Sequence, residues 1–213
     1  MSAADLDRAV RHYRELAPRY DHYTRRIDDI RRRTIAALEL QAAETILDAG
    51  CGTGWCLPAL ADAVGPHGTV IAFDPSPEML AHARRRETHG ARVELIEATA
   101  EAVRLPAPPD AILFSYTHDL IRSRRALENL FAQSRPGTRV AATSTKLYAP
   151  WLFPANWYLR ATHRAYITNF ESFEAPWSML AQLLDDFRVQ THGLTQHYVA
   201  TGRVPAARPA QVA

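Results

Sequence analysis

A glycine-rich loop is the first place in the chain where residue types and spacing suggest chemistry. Glycines occupy positions 50, 52 and 54, directly after the run Ile46-Leu47-Asp48-Ala49. Glycine lets the backbone turn sharply and lets a ligand approach the main chain, while a following helix presents its amide N–H groups there. The loop therefore predicts a nucleotide-like ligand between the end of a strand and the start of a helix.

Two neighbours of the loop narrow the kind of ligand. The dinucleotide fingerprint has a third small residue three positions after the second glycine, so that helix and strand can pack closely, and here that position holds Trp55. An indole there argues against a nicotinamide cofactor. Asp48 would lie unfavourably near a pyrophosphate, whereas a carboxylate suits a ligand that carries an ammonium group. These residues favour a ligand with a methionine moiety.

A second acidic residue ends the next apolar run. Asp74 lies 20 residues beyond Gly54, the spacing expected for an acid that accepts both hydroxyls of a ribose. Together with the glycine loop and Pro75-Ser76-Pro77-Glu78-Met79-Leu80, it resembles the class I S-adenosylmethionine-dependent methyltransferases of the ubiquinone-biosynthesis type. The resemblance covers roughly residues 20 to 145 and implies an enzyme with S-adenosylmethionine as its cofactor.

The same resemblance implies a set of cofactor contacts. In that family, the segment matching Ile96 to Glu101 lies over the adenine, usually with an acidic residue where this chain has Thr99. Thr99 can still bond the adenine amine, and the amide of Ala100 can reach a ring nitrogen, while Ser76 and Met79 would flank the ring. The expected cofactor-binding residues are Asp48, Gly50, Cys51, Gly52, Gly54, Asp74, Pro75, Ser76, Met79, Thr99, Ala100, Glu101 and Ser115.

Polar residues after the fourth strand candidate are predicted to face the reaction centre. The ligand crevice of an open α/β sheet lies at the carboxyl ends of its strands, which places Tyr116 to Asp119 there. Methyl transfer from a sulfonium depends mainly on holding the nucleophile in line with the methyl carbon. For a phenol or a protonated amine, His118 is the expected base, Asp119 orients it or pairs with an ammonium, and Tyr116 completes the catalytic set. His118 could equally be a loop histidine that caps the next helix. Clustered carboxylates and histidines at ligand spacing are lacking, so no metal is predicted.

Aromatic residues are concentrated between residues 151 and 177, where eight of them occur. This density indicates an apolar acceptor pocket, covered by this segment and by the N-terminal helices. The expected substrate contacts are Tyr20, Tyr23, Trp151, Trp157 and Tyr166. The same aromatics could instead pack the segment onto the sheet, or anchor it at a lipid interface.

The leading functional hypothesis is an N- or O-methyltransferase that acts on a small, partly apolar or aromatic acceptor. Alternatives are a phospholipid (ethanolamine) N-methyltransferase, a non-catalytic adenosylmethionine-binding protein and a nicotinamide oxidoreductase. Trp55 argues against the oxidoreductase, whereas Thr99, in place of the usual acid, keeps the binding protein open. The Asn-Pro-Pro-Tyr motif of DNA and glutamine methyltransferases is not found.

These residues require a particular set of elements around them. Strand candidates at 45–49, 69–73, 93–97, 111–115 and 139–145 alternate with helix candidates at 54–64, 77–86 and 123–135. Such alternation predicts parallel strands joined by crossover helices, and runs at 188–192 and 196–203 predict an antiparallel closing pair. The expected fold is an α/β Rossmann-like three-layer sandwich with a mostly parallel, seven-stranded sheet and a helical N-terminal lead-in.

We expect a single domain over residues 1–203. Its parts are a helical lid (1–43), a cofactor-binding core (44–146), an aromatic substrate cap (147–186) and closing strands (187–203), followed by a frayed tail (204–213). Net charge is +2, and seven acidic residues offset the nine arginines of the first forty positions, so no nucleic acid partner is expected. Cys51 and Cys56 are expected as free thiols, and no apolar run approaches the roughly 18 residues of a membrane span. We therefore predict a cytoplasmic monomer or homodimer with a small-molecule acceptor and no integral membrane segment.

Overall fold

The computed structural model describes residues 24–148, 152, 157, 173–191 and 196–206. Within these residues a short 3₁₀ turn (Arg25–Ile27) precedes six helices, which are α1 (Asp28–Ala36), α2 (Leu57–Val64), α3 (Pro77–Ala83), α4 (His118–Ile121), α5 (Arg124–Ala132) and α6 (Ser178–Leu183). The strands are β1 (Thr45–Ala49), β2 (Thr69–Asp74), β3 (Arg92–Glu97), β4 (Ala111–Ser115), β5 (Arg139–Thr145), β6 (Asp185–Thr191) and β7 (His197–Arg203). No helix in these ranges combines the length and hydropathy that crossing a bilayer requires.

All seven strands form one sheet, in the order β3-β2-β1-β4-β5-β7-β6. Neighbouring strands from β3 to β5 pair in parallel, whereas β7 runs antiparallel to both β5 and β6. The predicted fold class, including the antiparallel closing pair, is confirmed. Chain order reverses between β1 and β4, and ligands of open α/β sheets bind outside the carboxyl ends of the strands at such a point.

Alternating side chains divide the core into two layers, one on each face of the sheet. Leu47 and Phe114 belong to the layer covered by α5 and α6. Ile46 and Leu113 belong to the other layer, where α1 and α2 contribute Ile35 and Leu60. Because neighbouring positions of a strand face opposite sides, Asp48 points to the layer that contains α1.

The helical N-terminal segment, predicted to reach residue 43, ends earlier. Its last helix ends at Ala36, and residues 37–43 form turns instead. Glu39 and Ala43 adopt positive φ angles of 49° and 67°, and the Ala43 N–H donates to the carbonyl of Val64 at 2.8 Å. The chain is thus folded back against the end of α2 before β1 begins, which a continuous helix would prevent. Residues 1–23 lie outside the described part.

Other boundaries differ by a few residues. Helix α2 begins at Leu57 rather than at Gly54, because residues 54–56 belong to the turns of the loop. Strand β6 begins three residues earlier than predicted, with an irregular register after Asp185. Val204, predicted to be in the frayed tail, is 7% exposed and its N–H donates to the carbonyl of Thr138 at 2.9 Å. The ordered chain therefore extends past the last strand.

Candidate functional site

The glycine loop connects β1 to α2 in a left-handed conformation. Gly50, Gly52 and Gly54 have φ angles of 74°, 55° and 74°. A Cβ atom on Gly54 would lie 2.9 Å from the Cα of Ala83, so glycine is needed there for contact with α3. A Cβ on Gly52 would meet nothing within 4 Å, so this turn borders open space. That open space at the switch point can receive a ligand against the main chain.

Asp74 lies at the edge of the same loop. Its carboxylate accepts the N–H of Gly52 and the N–H of Ser76, both at 2.9 Å. Burial raises the pKa of Asp74 to about 6, although these two hydrogen bonds lower it. Since each carboxylate oxygen has two lone pairs, both oxygens can accept a further hydroxyl. The geometry therefore allows the predicted ribose contact.

Asp48 and Arg31 form a buried pair of opposite charge beside the loop. Asp48 is 1% exposed, and its Oδ2 has no hydrogen-bond partner. Burial raises the pKa of Asp48 to about 7, against the lowering effect of the Arg31 charge, and Asp74 raises it further. Arg31, on α1, is 4% exposed, and its Nε also has no partner. Two ionisable side chains thus each keep an unused hydrogen-bonding atom.

Arg31 is held in place by polar and aromatic groups. Its Nη1 donates to the Thr24 hydroxyl at 3.3 Å and lies 3.5 Å from the Asp28 carboxylate. Its guanidinium lies 5.0 Å from the ring centroid of Trp55 and 5.7 Å from that of Tyr116. Sequence reasoning missed Arg31, because nothing local distinguishes it from the other arginines of the N-terminal segment.

The structure also gives the surroundings of the remaining predicted cofactor residues. Ser76 caps α3, since its hydroxyl accepts the Met79 N–H at 3.3 Å and donates to the Glu78 carboxylate at 3.1 Å. The carbonyl of Thr99 accepts the Val103 N–H at 2.9 Å, so this segment turns directly after β3. The Cys51 N–H donates to the Phe73 carbonyl, and the Ala100 carbonyl accepts from the Asn129 amide. The Glu101 carboxylate accepts from the Ser123 hydroxyl. Met79 is buried, Pro75 is half-buried, and the buried Ser115 hydroxyl has no hydrogen-bond partner.

Tyr116 directly follows β4 at the carboxyl edge of the sheet, where the acceptor is predicted to bind. Its φ of 60° is in the left-handed region, which costs a non-glycine residue about 1–3 kcal/mol and is concentrated at functional sites. Its N–H donates to the carbonyl of Thr143 at 2.9 Å, and its hydroxyl lies 2.9 Å from Nδ1 of His197. Tyr116 is thus held by its backbone and by its hydroxyl, immediately after β4.

His118 lies beside Tyr116 as the first residue of α4. The Ser144 hydroxyl lies 2.7 Å from its Nδ1, and its ring stacks on Phe173 with centroids 5.2 Å apart. Thr117, not His118, is the N-cap of α4. Asp119 follows on α4 and is half-buried. The three predicted catalytic residues therefore lie together.

Three further residues of this edge, Ser144, Phe173 and His197, were missed by sequence reasoning. Ser144 and His197 belong to β5 and β7, and the antiparallel register that pairs Thr145 with His197 brings them to the same edge. Knowledge of that register would have found them. Phe173 belongs to the aromatic concentration seen in the sequence.

The predicted substrate residues are only partly described. Trp157 is 74% exposed, and Tyr20, Tyr23, Trp151 and Tyr166 lie outside the described residues. In the ranges that the structure covers, no group of three or more histidine, cysteine, aspartate or glutamate side chains is arranged to hold a metal ion. Cys51 and Cys56 are free thiols.

Comparison with known proteins agrees with this geometry. Residues 46–137 match the family model described as "Methyltransferase domain". The demethylmenaquinone methyltransferase of Shouchella clausii is 30% identical over 122 residues, which cover 54% of this chain and 51% of that protein. The aklanonic acid methyltransferase DauC of Streptomyces sp. strain C5 is 37% identical over 40% of each chain. The chain spans about half the length of the first relative and 40% of the second.

Solved structures share the fold at low sequence identity. The DhpI–SAH complex aligns with a TM-score of 0.65 and 17% identity over 97% of this chain and 100% of that one. The N-methyltransferase NodS of Bradyrhizobium japonicum WM9 aligns with a TM-score of 0.57 and 16% identity over 83% and 95% of the two chains. Together the matches confirm the predicted fold, the resemblance to class I methyltransferases and S-adenosylmethionine as the cofactor of such a domain.

Proposed function

We propose that this protein is an S-adenosylmethionine-dependent methyltransferase that transfers a methyl group to the nitrogen or oxygen of a small, partly apolar or aromatic acceptor. The observation that carries the proposal is the pair of unused atoms, Asp48 Oδ2 and Arg31 Nε, buried beside the glycine loop. A buried polar atom without a partner is costly, so a ligand that satisfies both atoms is bound favourably.

The methionine end of the cofactor has the matching charges. Its ammonium group suits the carboxylate of Asp48, and its carboxylate suits the guanidinium of Arg31. Asp74 is placed to accept the ribose hydroxyls, and the open space at Gly52 admits the ligand to the main chain. Thr99 and Ala100 follow β3, where they would border the adenine. The residues present therefore fit the group.

The bound cofactor supplies a methyl group activated by a sulfonium. The chain's own residues then have to orient the acceptor, exclude water and accept a proton where the acceptor loses one. We assign the last role to His118, because the Ser144 hydroxyl at its Nδ1 and the stacked Phe173 fix the ring. We assign Tyr116 and Asp119, its neighbours in the chain, to the same catalytic set.

The named acceptors of the relatives support a small-molecule acceptor for this chain. Among these relatives are a demethylmenaquinone, an aklanonic acid and an arsenite methyltransferase, the last from Halobacterium salinarum. Phospholipid methylation is the second candidate, because Trp157 exposes a large apolar ring in the predicted cap. A cytoplasmic location and a monomeric or homodimeric state remain predictions.

Calorimetry tests cofactor binding directly. We expect adenosylmethionine and its demethylated product to bind, and NAD not to bind. Arg31→Met should weaken adenosylmethionine at least tenfold, because a charge-assisted bond is lost, whereas Arg33→Met, at an exposed position on the same helix, should leave affinity within twofold. Asp74→Ala should weaken it markedly as well. Binding of NAD alone would overturn the proposal.

A methyl-transfer panel tests the acceptor class. Phenols, amines and phosphatidylethanolamine vesicles are offered with radiolabelled adenosylmethionine. Turnover of soluble phenols or amines supports the proposal, and turnover of vesicles alone supports the phospholipid candidate. Background rates throughout, with intact cofactor binding, would favour a non-catalytic binding protein.

A further inference from the structure

The hydrogen bond between Tyr116 and His197 joins two residues that are 81 positions apart in sequence. Their rings are nearly perpendicular, at 71°, with centroids 6.0 Å apart. Both side chains are half-buried, so the pair is fixed by the fold and still open to a ligand. Tyr116 also lies edge-on to His118, at 6.4 Å and 78°. The phenol is therefore between the proposed base and a second histidine.

Backbone strain at Tyr116 is consistent with a constrained role for this phenol. A tyrosine rarely adopts a left-handed φ, and here β5 holds the N–H through Thr143 while β7 holds the hydroxyl through His197. His197 thus fixes where the phenolic oxygen points.

We propose that Tyr116 and His197 form a proton relay for an acceptor hydroxyl, with His197 as a positioning residue that acts through Tyr116. This inference rests on the proposed function and makes a hydroxyl, rather than an amine, the nucleophile. For a hydroxyl acceptor the relay replaces His118 as the group that takes the proton, and His118 orients the acceptor beside the phenol.

The relay balances in protons and electrons. The acceptor oxygen forms a bond to the methyl group, and the electron pair of the broken sulfur–carbon bond stays on sulfur. The acceptor's proton passes to the Tyr116 oxygen while the Tyr116 proton passes to Nδ1 of His197. Tyrosine ends neutral and His197 ends as an imidazolium, which returns its proton to water after product release. An imidazole is suited to this because it ionises near neutral pH.

Several titratable groups surround the pair. Arg31 on α1 faces the Tyr116 ring, and His118 on α4 contacts its edge. Lys146 follows β5 and donates its backbone N–H to Gln196, next to His197, at 2.7 Å. Tyr198 on β7 has a buried hydroxyl whose pKa burial raises, so it stays protonated. Any change in pH dependence must therefore be assigned with variants of His197 itself.

Nuclear magnetic resonance of the imidazole nitrogens tests the pair without any acceptor. In ¹⁵N-histidine-labelled protein, the His197 signals are assigned by their loss in His197→Asn. Tyr116→Phe should shift the His197 Nδ1 resonance and its titration midpoint, and it should leave the signals of the exposed His67 unchanged. An unchanged His197 signal would overturn the proposal.

Kinetics with a hydroxyl acceptor test the relay. Tyr116→Phe and His197→Ala should each lower kcat at least tenfold, with affinity for the demethylated cofactor within twofold of the wild type. Because each substitution interrupts the same proton pathway, their effects should not add, and the double variant should be no more than about twofold slower than either single variant. His197→Asn can still bond the Tyr116 hydroxyl but cannot accept its proton, so kcat should stay as low as in His197→Ala, and the acidic limb of the pH profile should be lost. His67→Asn is the control.

The outcomes separate the two proposals. An active wild type whose His197→Ala variant is equally active, or whose two variants reduce kcat independently, overturns the relay alone. A wild type that methylates amines but no hydroxyl also overturns it. A wild type that methylates nothing overturns the proposed function, and the relay with it.

Discussion

Replacing Asp48 by asparagine should stabilise the free protein and weaken cofactor binding at the same time. Burial raises the pKa of this carboxyl from 3.8 to about 7, so the folded state resists its ionisation. One pKa unit corresponds to about 1.4 kcal/mol, which makes the full rise about 4 kcal/mol. Because the folded pKa lies above the unfolded one, stability is present below pH 4 and is lost as pH rises to about 7.

Asparagine cannot ionise, so it removes this pH-dependent loss of stability, but it still leaves a polar group buried. Its amide is still buried where Asp48 Oδ2 has no partner, which costs about 1–2 kcal/mol. We therefore expect a net gain of about 2 kcal/mol at pH 8, or roughly 4–8 °C in Tm for a chain of this size. At pH 5, about 1.2 units above the unfolded pKa, the penalty is only about 1.6 kcal/mol, and the cost of burying the asparagine amide offsets it, so the difference in Tm should nearly vanish.

Differential scanning calorimetry from pH 5 to pH 8 measures the stability difference, and titration calorimetry at pH 8 measures adenosylmethionine affinity. Loss of a charge-assisted bond of about 1.5–3 kcal/mol should weaken binding about 10- to 100-fold. Asp62→Asn, at an exposed position on α2, is the matched control for both measurements. A variant that melts below the wild type at pH 8, or a Tm difference that does not change with pH, would refute the reasoning.

Three further changes test other parts of the site. Gly52→Ala should weaken the affinity for adenosylmethionine at least tenfold in titration calorimetry, because the new Cβ would enter the open space next to the loop. The cost in stability should be only about 1–2 kcal/mol, which is the strain of alanine at a φ of 55°. Unchanged affinity would mean that the ligand does not approach this turn. Ser144→Ala should lower kcat about 2- to 10-fold with cofactor affinity unchanged, since one hydrogen bond orienting His118 is lost; an equal loss of affinity would contradict this separation. Arg139→Met should lower Tm by roughly 3–10 °C, because its half-buried guanidinium bonds the Leu38 carbonyl at 2.7 Å and the Glu44 carboxylate. The exposed Arg135→Met, which loses only a surface pair, should change Tm little, and equal losses would count against the argument.

The strands and the cofactor loop were predictable because their signals are local. Buried parallel strands are continuous apolar runs, and β1, β4 and β5 have the predicted bounds. Asp48 and Asp74 end such runs, so their positions at the sheet edge followed directly. A left-handed turn at Ala43 was not predictable from residue type, because alanine favours a helix and its contact with the end of α2 is tertiary.

The residues that sequence reasoning missed are those that depend on long-range placement. Arg31 was one of nine arginines in the first forty residues, and only the packing of α1 on the sheet selects it. Ser144 and His197 reach Tyr116 and His118 through the register of β5 with β7. No periodicity within either strand reports that register, since alternation specifies only which face a side chain occupies.

The reversed direction of β7 has a consequence for how this protein could change its chemistry. β4 and β5 contribute residues near or just after their last positions, Tyr116 and Ser144, whereas β7 contributes its first residue, His197. Apart from Arg31 on α1, the groups proposed to bind the cofactor lie mainly at the ends of β1 to β3, and the groups proposed to meet the acceptor lie on or beside β4, β5 and β7. Selection acting on the start of β7 could alter acceptor preference while leaving the cofactor pocket intact. The fold thus keeps the residues proposed for the cofactor apart from the residues proposed for the acceptor, so the acceptor residues can vary on their own.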